Sequence, residues 1–363
     1  MRIETNCNNL LTALSTVEKA LPGRISMPIL DGVYMNKQAD TLTLAAYDLD
    51  IAVKAQMEVG GEGDGSIILN RKIIPIVRQL SAETVDIRIE NMKAYIKSGN
   101  AEFTLMCMDA EDFPVVIADD YNSWRKIELP TETFKEIINK IAFCVSKEAG
   151  RPIFQSILVT YDGSNDLQFI GTDTYRLAQY TSKDLLSIGE PFELLVPGKN
   201  LQSIAKILND ETINIHIGEK ECIFACGDIT AMSRLTDGQF PNIGAIFPDR
   251  NKTKISINKD ALNGMLLRAE TVIQGSQSVV AVSLKGNTII ISANSETGNI
   301  REEAHCEIEG EELDRVLFNV KYLLDGCKAI DDDILTIHFN GEIGPVIMES
   351  DNYRYLMLPI KKD

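Results

Sequence analysis

SIILNRKIIPIVRQL (66–80), FELLVPGKNLQSIAKIL (192–208) and RVLFNVKYLLDGCKAI (315–330) are three versions of one stretch. Each reads as a short apolar strand, a turn and a helix opening near a lysine: Lys72, Lys199 and Lys321, spaced by 127 and 122 residues. The flanks match as well. ETVDIRIENMKAYI (83–96), ETINIHIGEKECIF (211–224) and DDILTIHFNGEIGPVI (332–347) follow the three stretches. LTLAAYDLDIAV (42–53), LQFIGTDTYRLAQY (167–180) and IIISANSETGNIREE (289–303) precede them, each a strand, a small or polar break and a second strand. A repeat of this length is three copies of a domain, not a solenoid of small units.

The 363 residues therefore divide near 1–124, 125–250 and 251–363, and each part is large enough to bury its own core. An apolar share of 44% is ordinary for a soluble chain. No apolar run reaches membrane-spanning length, and MRIETNCNNLL is too polar for a signal peptide. Seven cysteines, an odd number, point to reduced thiols and a cytoplasmic home. No P-loop, zinc-protease, nucleophile-elbow or EF-hand motif is present, and His216, His305 and His338 are scattered. The expectation is a non-catalytic protein with no cofactor and no metal.

Each copy opens with a strand and an amphipathic helix. Leu10, Leu11, Leu14, Val17 and Leu21 lie at helical spacing in the first; Phe134, Ile137, Ile138 and Ile141 do so in the second, with Thr131 as N-cap. Alternating strands with Gly, Asn and Asp turns follow, then the second helix. Pro75 is tolerable only if that helix starts near Arg71 and Lys72, placing the proline in its first turn. The fold class is α+β, with two helices and about eight strands in antiparallel sheets per copy.

Charge is partitioned between these elements. The formal charge is −17, but the six helical segments carry +7, leaving −24 on strands and loops. Suppose equivalent helices line a ring. Six at about 10 Å spacing leave a gap of about 10 Å, too narrow for duplex DNA; twelve open about 25–30 Å. One chain is then half of a closed ring, and two would surround DNA. The competing reading is an acidic three-repeat peptide-binding scaffold that never touches DNA; the basic residues at Arg24, Arg71, Lys72 and Lys199 weigh against it.

RISMPIL (24–30), GTDTYRLA (171–178), GQFPNI (238–243), LFNVKYLLD (317–325) and YLMLPI (355–360), in this order on a threefold repeat, carry a resemblance. The chain resembles the bacterial sliding clamps, the β subunits of DNA polymerase III, along its whole length. The resemblance implies a head-to-tail homodimer that encircles double-stranded DNA without reading its sequence. It implies a processivity role, tethering the DNA polymerase III α subunit, the clamp loader, other polymerases and repair proteins through short peptide motifs. No membrane is involved.

The same resemblance assigns residues. Arg24, Arg71, Lys72 and Lys199 stand where the family faces DNA. The partner-peptide cleft takes Phe154, Thr172, Thr174, Tyr175, Arg176, Leu177, Pro241, Ile246, Asn319, Tyr322, Ile343, Pro345, Leu356, Leu358, Pro359 and Ile360. Phe103 and Leu105 would meet Val272 and Ile273 of the other copy at the dimer contact. Three departures stand out. The family commonly has Gly-His where this chain has Thr174-Tyr175. The tail Lys361-Lys362-Asp363 is more polar than usual. The third copy has Asn294-Ser-Glu in place of Thr172-Asp-Thr, so an equivalent groove is not expected there.

Overall fold

The computed structural model describes all residues except 25–26, 115–116, 118–119, 149, 164–165, 184–188, 245, 249–250, 274–277, 297 and 362–363. The first copy runs β1 (Arg2–Asn6), α1 (Cys7–Val17), β2 (Gly32–Gln38), β3 (Thr41–Tyr47), β4 (Ile51–Glu58), β5 (Gly65–Asn70), α2 (Ile73–Arg78), β6 (Thr84–Glu90), β7 (Lys93–Ser98) and β8 (Ala101–Asp109). The second repeats the order. It runs β9 (Arg125–Pro130), α3 (Thr131–Ile141), β10 (Ser156–Tyr161), β11 (Leu167–Thr172), β12 (Arg176–Ser182), β13 (Phe192–Pro197), α4 (Gly198–Ala205), β14 (Thr212–Ile217), β15 (Glu221–Cys226) and β16 (Ile229–Arg234). The third adds one strand. It runs β17 (Thr253–Asn258), α5 (Lys259–Val272), β18 (Val279–Lys285), β19 (Thr288–Asn294), β20 (Asn299–His305), β21 (Glu307–Gly310), β22 (Leu313–Asn319), α6 (Val320–Ala329), β23 (Ile334–Phe339), β24 (Val346–Ser350) and β25 (Tyr353–Met357).

The helices form where the sequence patterning puts them. Asn6, Asn258 and Asn319 cap α1, α5 and α6, their side-chain oxygens accepting the N–H groups of the first turn. Pro75 is the third residue of α2, where the missing N–H has no partner to lose. Thr131 opens α3 as its first residue, one place later in the helix than a cap. Leu10, Leu14 and Val17 of α1 are fully buried, as are Phe134, Ile137, Ile138 and Ile141 of α3.

Contacts divide the chain into two compact units: Met1–Glu136 with Lys199–Leu235, and Ile137–Gly198 with Thr236–Asp363. The first holds a twelve-stranded sheet in the order β1-β6-β7-β8-β5-β2-β3-β4-β16-β15-β14-β9. The second holds a nine-stranded sheet, β13-β10-β11-β12-β25-β24-β23-β17-β21, and a four-stranded one, β20-β19-β18-β22. Neighbouring copies join by the same strand pair each time. β4 of the first copy meets β16 of the second, with Ala52 opposite Met232; β12 of the second meets β25 of the third, with Leu177 opposite Leu356. Two equivalents are left over. β20 pairs only with β19, and Ala101–Met106 of β8 pair only with β7 among the described residues.

The break between paired strands is one turn used three times. The N–H of Asp48 donates to Ile51 O, that of Asp173 to Arg176 O, and that of Ser295 to Gly298 O. In the first two copies the aspartate Oδ1 also accepts the next two free N–H groups. The residue after each aspartate is left-handed, Leu49 at φ 83° and Thr174 at φ 77°. Side chains other than glycine pay a steric cost there, highest for β-branched ones.

Candidate functional site

The residues assigned to the peptide cleft gather in the second unit, around the β12–β25 pair. Leu177 and Leu356 are 2% exposed and form the floor with Leu158, Ile170, Leu195, Phe240 and Ile347. Phe154 meets Phe240 edge-on, ring centroids 6.3 Å apart. Other assigned residues are large apolar side chains in solvent: Ile343 is 81% exposed and Tyr175 62%, with Ile246, Leu358 and Ile360 also open.

The chain end is held in place by main-chain bonds. Leu358 N–H donates to Tyr175 O at 2.9 Å and Ile360 N–H to Leu317 O at 2.8 Å. Pro359 lies half-buried between them, and the pair Lys362-Asp363 lies outside the described residues. Pro345 O accepts from Asn340 Nδ2, and Pro241 follows the buried Phe240 as an exposed residue. Asn319 is committed locally: its Oδ1 accepts the Lys321 N–H as the α6 cap. Ile343 and Ile246 sit outside helices and strands. Ile246 N–H donates to Ile243 O, and Ile243 packs on the floor.

Arg176 has a different role from the apolar residues. Its Nε bonds Asp173 at 2.9 Å, its Nη1 bonds Asp325 at 2.6 Å and its Nη2 donates to Phe143 O at 2.8 Å. The guanidinium also lies 4.3 Å from the Tyr322 ring centroid and 5.4 Å from that of Phe143. Burial works against its charge, but Tyr355, Cys144 and Asp325 around it hold the pKa above the ordinary arginine value. Burial pushes the Tyr322 hydroxyl up as well, with Asp173 adding to it. Arg176 thus ties β12 to α6 and to Phe143, and Tyr322 stacks on it. Thr172 closes the same turn, its hydroxyl donating to Arg176 O at 2.6 Å and accepting the Thr174 N–H at 3.0 Å.

Sequence reasoning missed the partners Asp173, Asp325 and Phe143. A signal was available for the first: Asp48 stands at the equivalent place in the first copy, where it makes the same turn.

The four cations assigned to DNA all lie in the first unit. Arg24, Lys72 and Lys199 are exposed and make no ion pair among the described residues. Lys72 precedes α2 and Lys199 is the second residue of α4. Arg71 differs: its Nη1 bonds Asp31 Oδ1 at 2.9 Å and Pro22 O at 3.1 Å. Pro22 and Asp31 bracket the segment that carries Arg24, so Arg71 holds both ends of it. Ile25 and Ser26 of that segment lie outside the described residues.

The residues assigned to the dimer contact lie on open elements. Phe103 is 37% exposed and Leu105 half-buried, both on the part of β8 whose second edge is free among the described residues. Met106 beside them is 62% exposed. Val272 ends α5 and is half-buried; Ile273 follows it and is 2% exposed. Among the described residues no group of three or more His, Cys, Asp or Glu side chains is placed to hold a metal, and no helix is long and apolar enough to cross a membrane.

Three copies of an α+β domain, joined edge strand to edge strand, define a clamp-type protein. Similarity to known proteins narrows this. Profiles of the DNA polymerase III beta subunit match in order: the N-terminal domain over residues 1–117, the central domain over 128–242 and the C-terminal domain over 244–361. The chain belongs to that family. It is 30% identical to the beta sliding clamp of Bacillus subtilis (strain 168), over 99% of this chain and all of that one. It is 28% identical to the beta sliding clamp of Staphylococcus aureus (strain Mu50 / ATCC 700699), over 97% of each. The crystal structure of the Bacillus subtilis DNA polymerase sliding clamp superimposes with a TM-score of 0.93 at 29% identity, covering 100% of both chains.

Proposed function

We propose that two copies of this chain close a ring around duplex DNA and act as a sliding clamp, a processivity factor that tethers the replicative polymerase to its template. The carrying observation is the strand pair left over after the copies join. β20 and β8 are the third-copy and first-copy equivalents of the strands that make both internal seams, and each has a free edge among the described residues. Pairing β20 of one copy with β8 of the other completes the pattern and shields both edges. Transferring the internal registers puts Asn299 opposite Thr104, Ile300 opposite Phe103 and Arg301 opposite Glu102. The resemblance adds Val272 and Ile273, at the end of α5, against Phe103 and Leu105.

Within the ring, Arg24, Lys72 and Lys199 meet phosphates, and Arg71 holds the Arg24 segment. Contacts of this kind do not read sequence and weaken with salt, which suits sliding. The acidic remainder keeps DNA off other surfaces. The cleft around Leu177 and Leu356 receives peptide tails of the DNA polymerase III α subunit, the clamp loader and other DNA-processing proteins. The chain performs no catalysis itself, works in the cytoplasm, and its domains divide near residues 124 and 250.

The test is retention on a nicked circular duplex, before and after linearising it, with a clamp loader and ATP. Retention on the circle with release from the linear form supports a topological link. Equal retention on both refutes the ring.

A further inference from the structure

We infer that the first unit carries a second peptide-anchor site, a repeat counterpart of the cleft in the second unit, lined by Tyr34, Ala45, Ala52, Lys54 and Phe113. The choice of a peptide as ligand rests on the peptide role proposed for that cleft; the cavity itself does not.

The strand registers establish the equivalence. Tyr47 pairs with Ala52, and Ala52 with Met232, as Thr172 pairs with Leu177, and Leu177 with Leu356. Met232 in turn pairs with Ile223. Tyr47, Ala52, Ile223 and Met232 form a buried cluster on which Phe113 packs, as Phe240 packs in the cluster of Leu177, Leu356 and Ile347. Both phenylalanines precede a proline, Pro114 and Pro241.

The two sites differ in filling. Where the second unit has Ile170 and Leu177, the first has Ala45 and Ala52. Ala45 and Ala52 line a cavity of about 290 Å³. Drug-sized ligands take roughly 300–1,000 Å³, so this volume suits one aliphatic or aromatic side chain with its backbone. Phe113 stacks on Tyr34 at 4.9 Å and 21°, making an aromatic wall.

Charge narrows the partner. Tyr34, Ala45 and Lys54 lie in one row across β2, β3 and β4. Lys54 is half-buried, lines the cavity and makes no ion pair among the described residues. Its counterpart in the second unit is the neutral Gln179. Glu111 also borders the cavity but is exposed. The fitting partner is therefore an extended peptide that inserts one apolar side chain and sets a neighbouring carboxylate on Lys54.

The test uses the full chain with ¹³C-methyl alanine, titrated with acetyl-Phe-Asp-amide and acetyl-Phe-Asn-amide. Saturable shifts at the Ala45 and Ala52 methyls are expected, with the Asp peptide favoured by up to about fivefold, the reach of a part-exposed ion pair. Ala52→Leu and, separately, Ala45→Ile rebuild the filled floor and should abolish the response at the remaining alanine. Lys54→Gln should erase the preference for Asp. Absent shifts, or shifts that survive both filling variants, overturn the site. A polymerase tail peptide, followed in the same samples by ¹³C-methyl isoleucine at Ile343 and Ile360, reports on the other cleft. That cleft should respond in the wild type and in Ala52→Leu alike. Silence at Ile343 and Ile360 would count against the cleft reading and leave the alanine result to decide this one.

Discussion

Arg176 and Asp325 form a 2.6 Å ion pair that fastens the first residue of β12 to the middle of α6. Only 11% of the arginine side chain is exposed, against 32% for the aspartate. Removing the arginine strands Asp173 and Asp325 beside the rings of Phe143 and Tyr322. Arg176→Ala should lower stability by about 2–3 kcal/mol, less than for a fully buried pair because Asp325 is partly hydrated. Asp325→Asn should cost less, since Asp173 still holds the guanidinium. Urea denaturation followed by tyrosine fluorescence measures both; an unchanged midpoint for Arg176→Ala refutes the fastening role.

Thr174 sits at φ 77° with a β-branched side chain exposed to solvent. Glycine adopts this geometry without strain, although it adds freedom to the unfolded chain. Relief of strain outweighs that entropy, so Thr174→Gly should stabilise the protein by about 1 kcal/mol. The turn bonds are made by main-chain N–H groups and survive the change. A denaturation midpoint that falls instead would mean that the Thr174 side chain makes the turn.

How much of this is legible in the sequence depends on scale. The three copies, their helices and the place of Pro75 follow from periodicity, because a helix face and a strand each leave a pattern along one chain. The resemblance names candidate cleft residues, but not which of them are buried: nothing in YRLA distinguishes the buried Leu177 from the exposed Tyr175 until the strand has neighbours. The guanidinium contacts of Arg176 are not legible at all, since Asp325 is 149 residues away. Arg71 reads as one more surface cation; its hold on Pro22 and Asp31 comes from a turn that the sequence does not mark.

Two main-chain bonds, from Leu358 and Ile360, hold the chain end beside the proposed peptide cleft. Deleting residues 359–363 removes the second bond and the apolar Ile360. Binding of a polymerase tail peptide should then drop below detection by fluorescence anisotropy, while the dimer remains intact by sedimentation. Full affinity after the deletion would remove the tail from the site.

The register inferred for the dimer places Arg301 opposite Glu102. Within the single chain each has a partner on its own sheet, Arg301 with Glu303 and Glu102 with Lys97. Arg301→Glu alone, or Glu102→Arg alone, sets like charges face to face and should weaken dimerisation by about 3–10-fold. The double exchange should restore most of it. Sedimentation velocity over a dilution series reads all three. Effects that simply add in the double variant would mean that the two residues do not meet.

Arg24 and Arg71 should separate on DNA by how they act. Arg24→Glu with Lys199→Glu removes two exposed cations from each copy and adds repulsion. Retention on nicked circles should fall, and its dependence on log salt should flatten by about 0.9 for each phosphate no longer neutralised. Arg71→Ala should also reduce retention, because the segment between Pro22 and Asp31 loses its tie and Arg24 is no longer held. The discriminating case is Arg71→Ala on top of Arg24→Glu. If Arg71 works by holding Arg24, the second change adds little to the first. If the two effects add in full, Arg71 reaches DNA by itself.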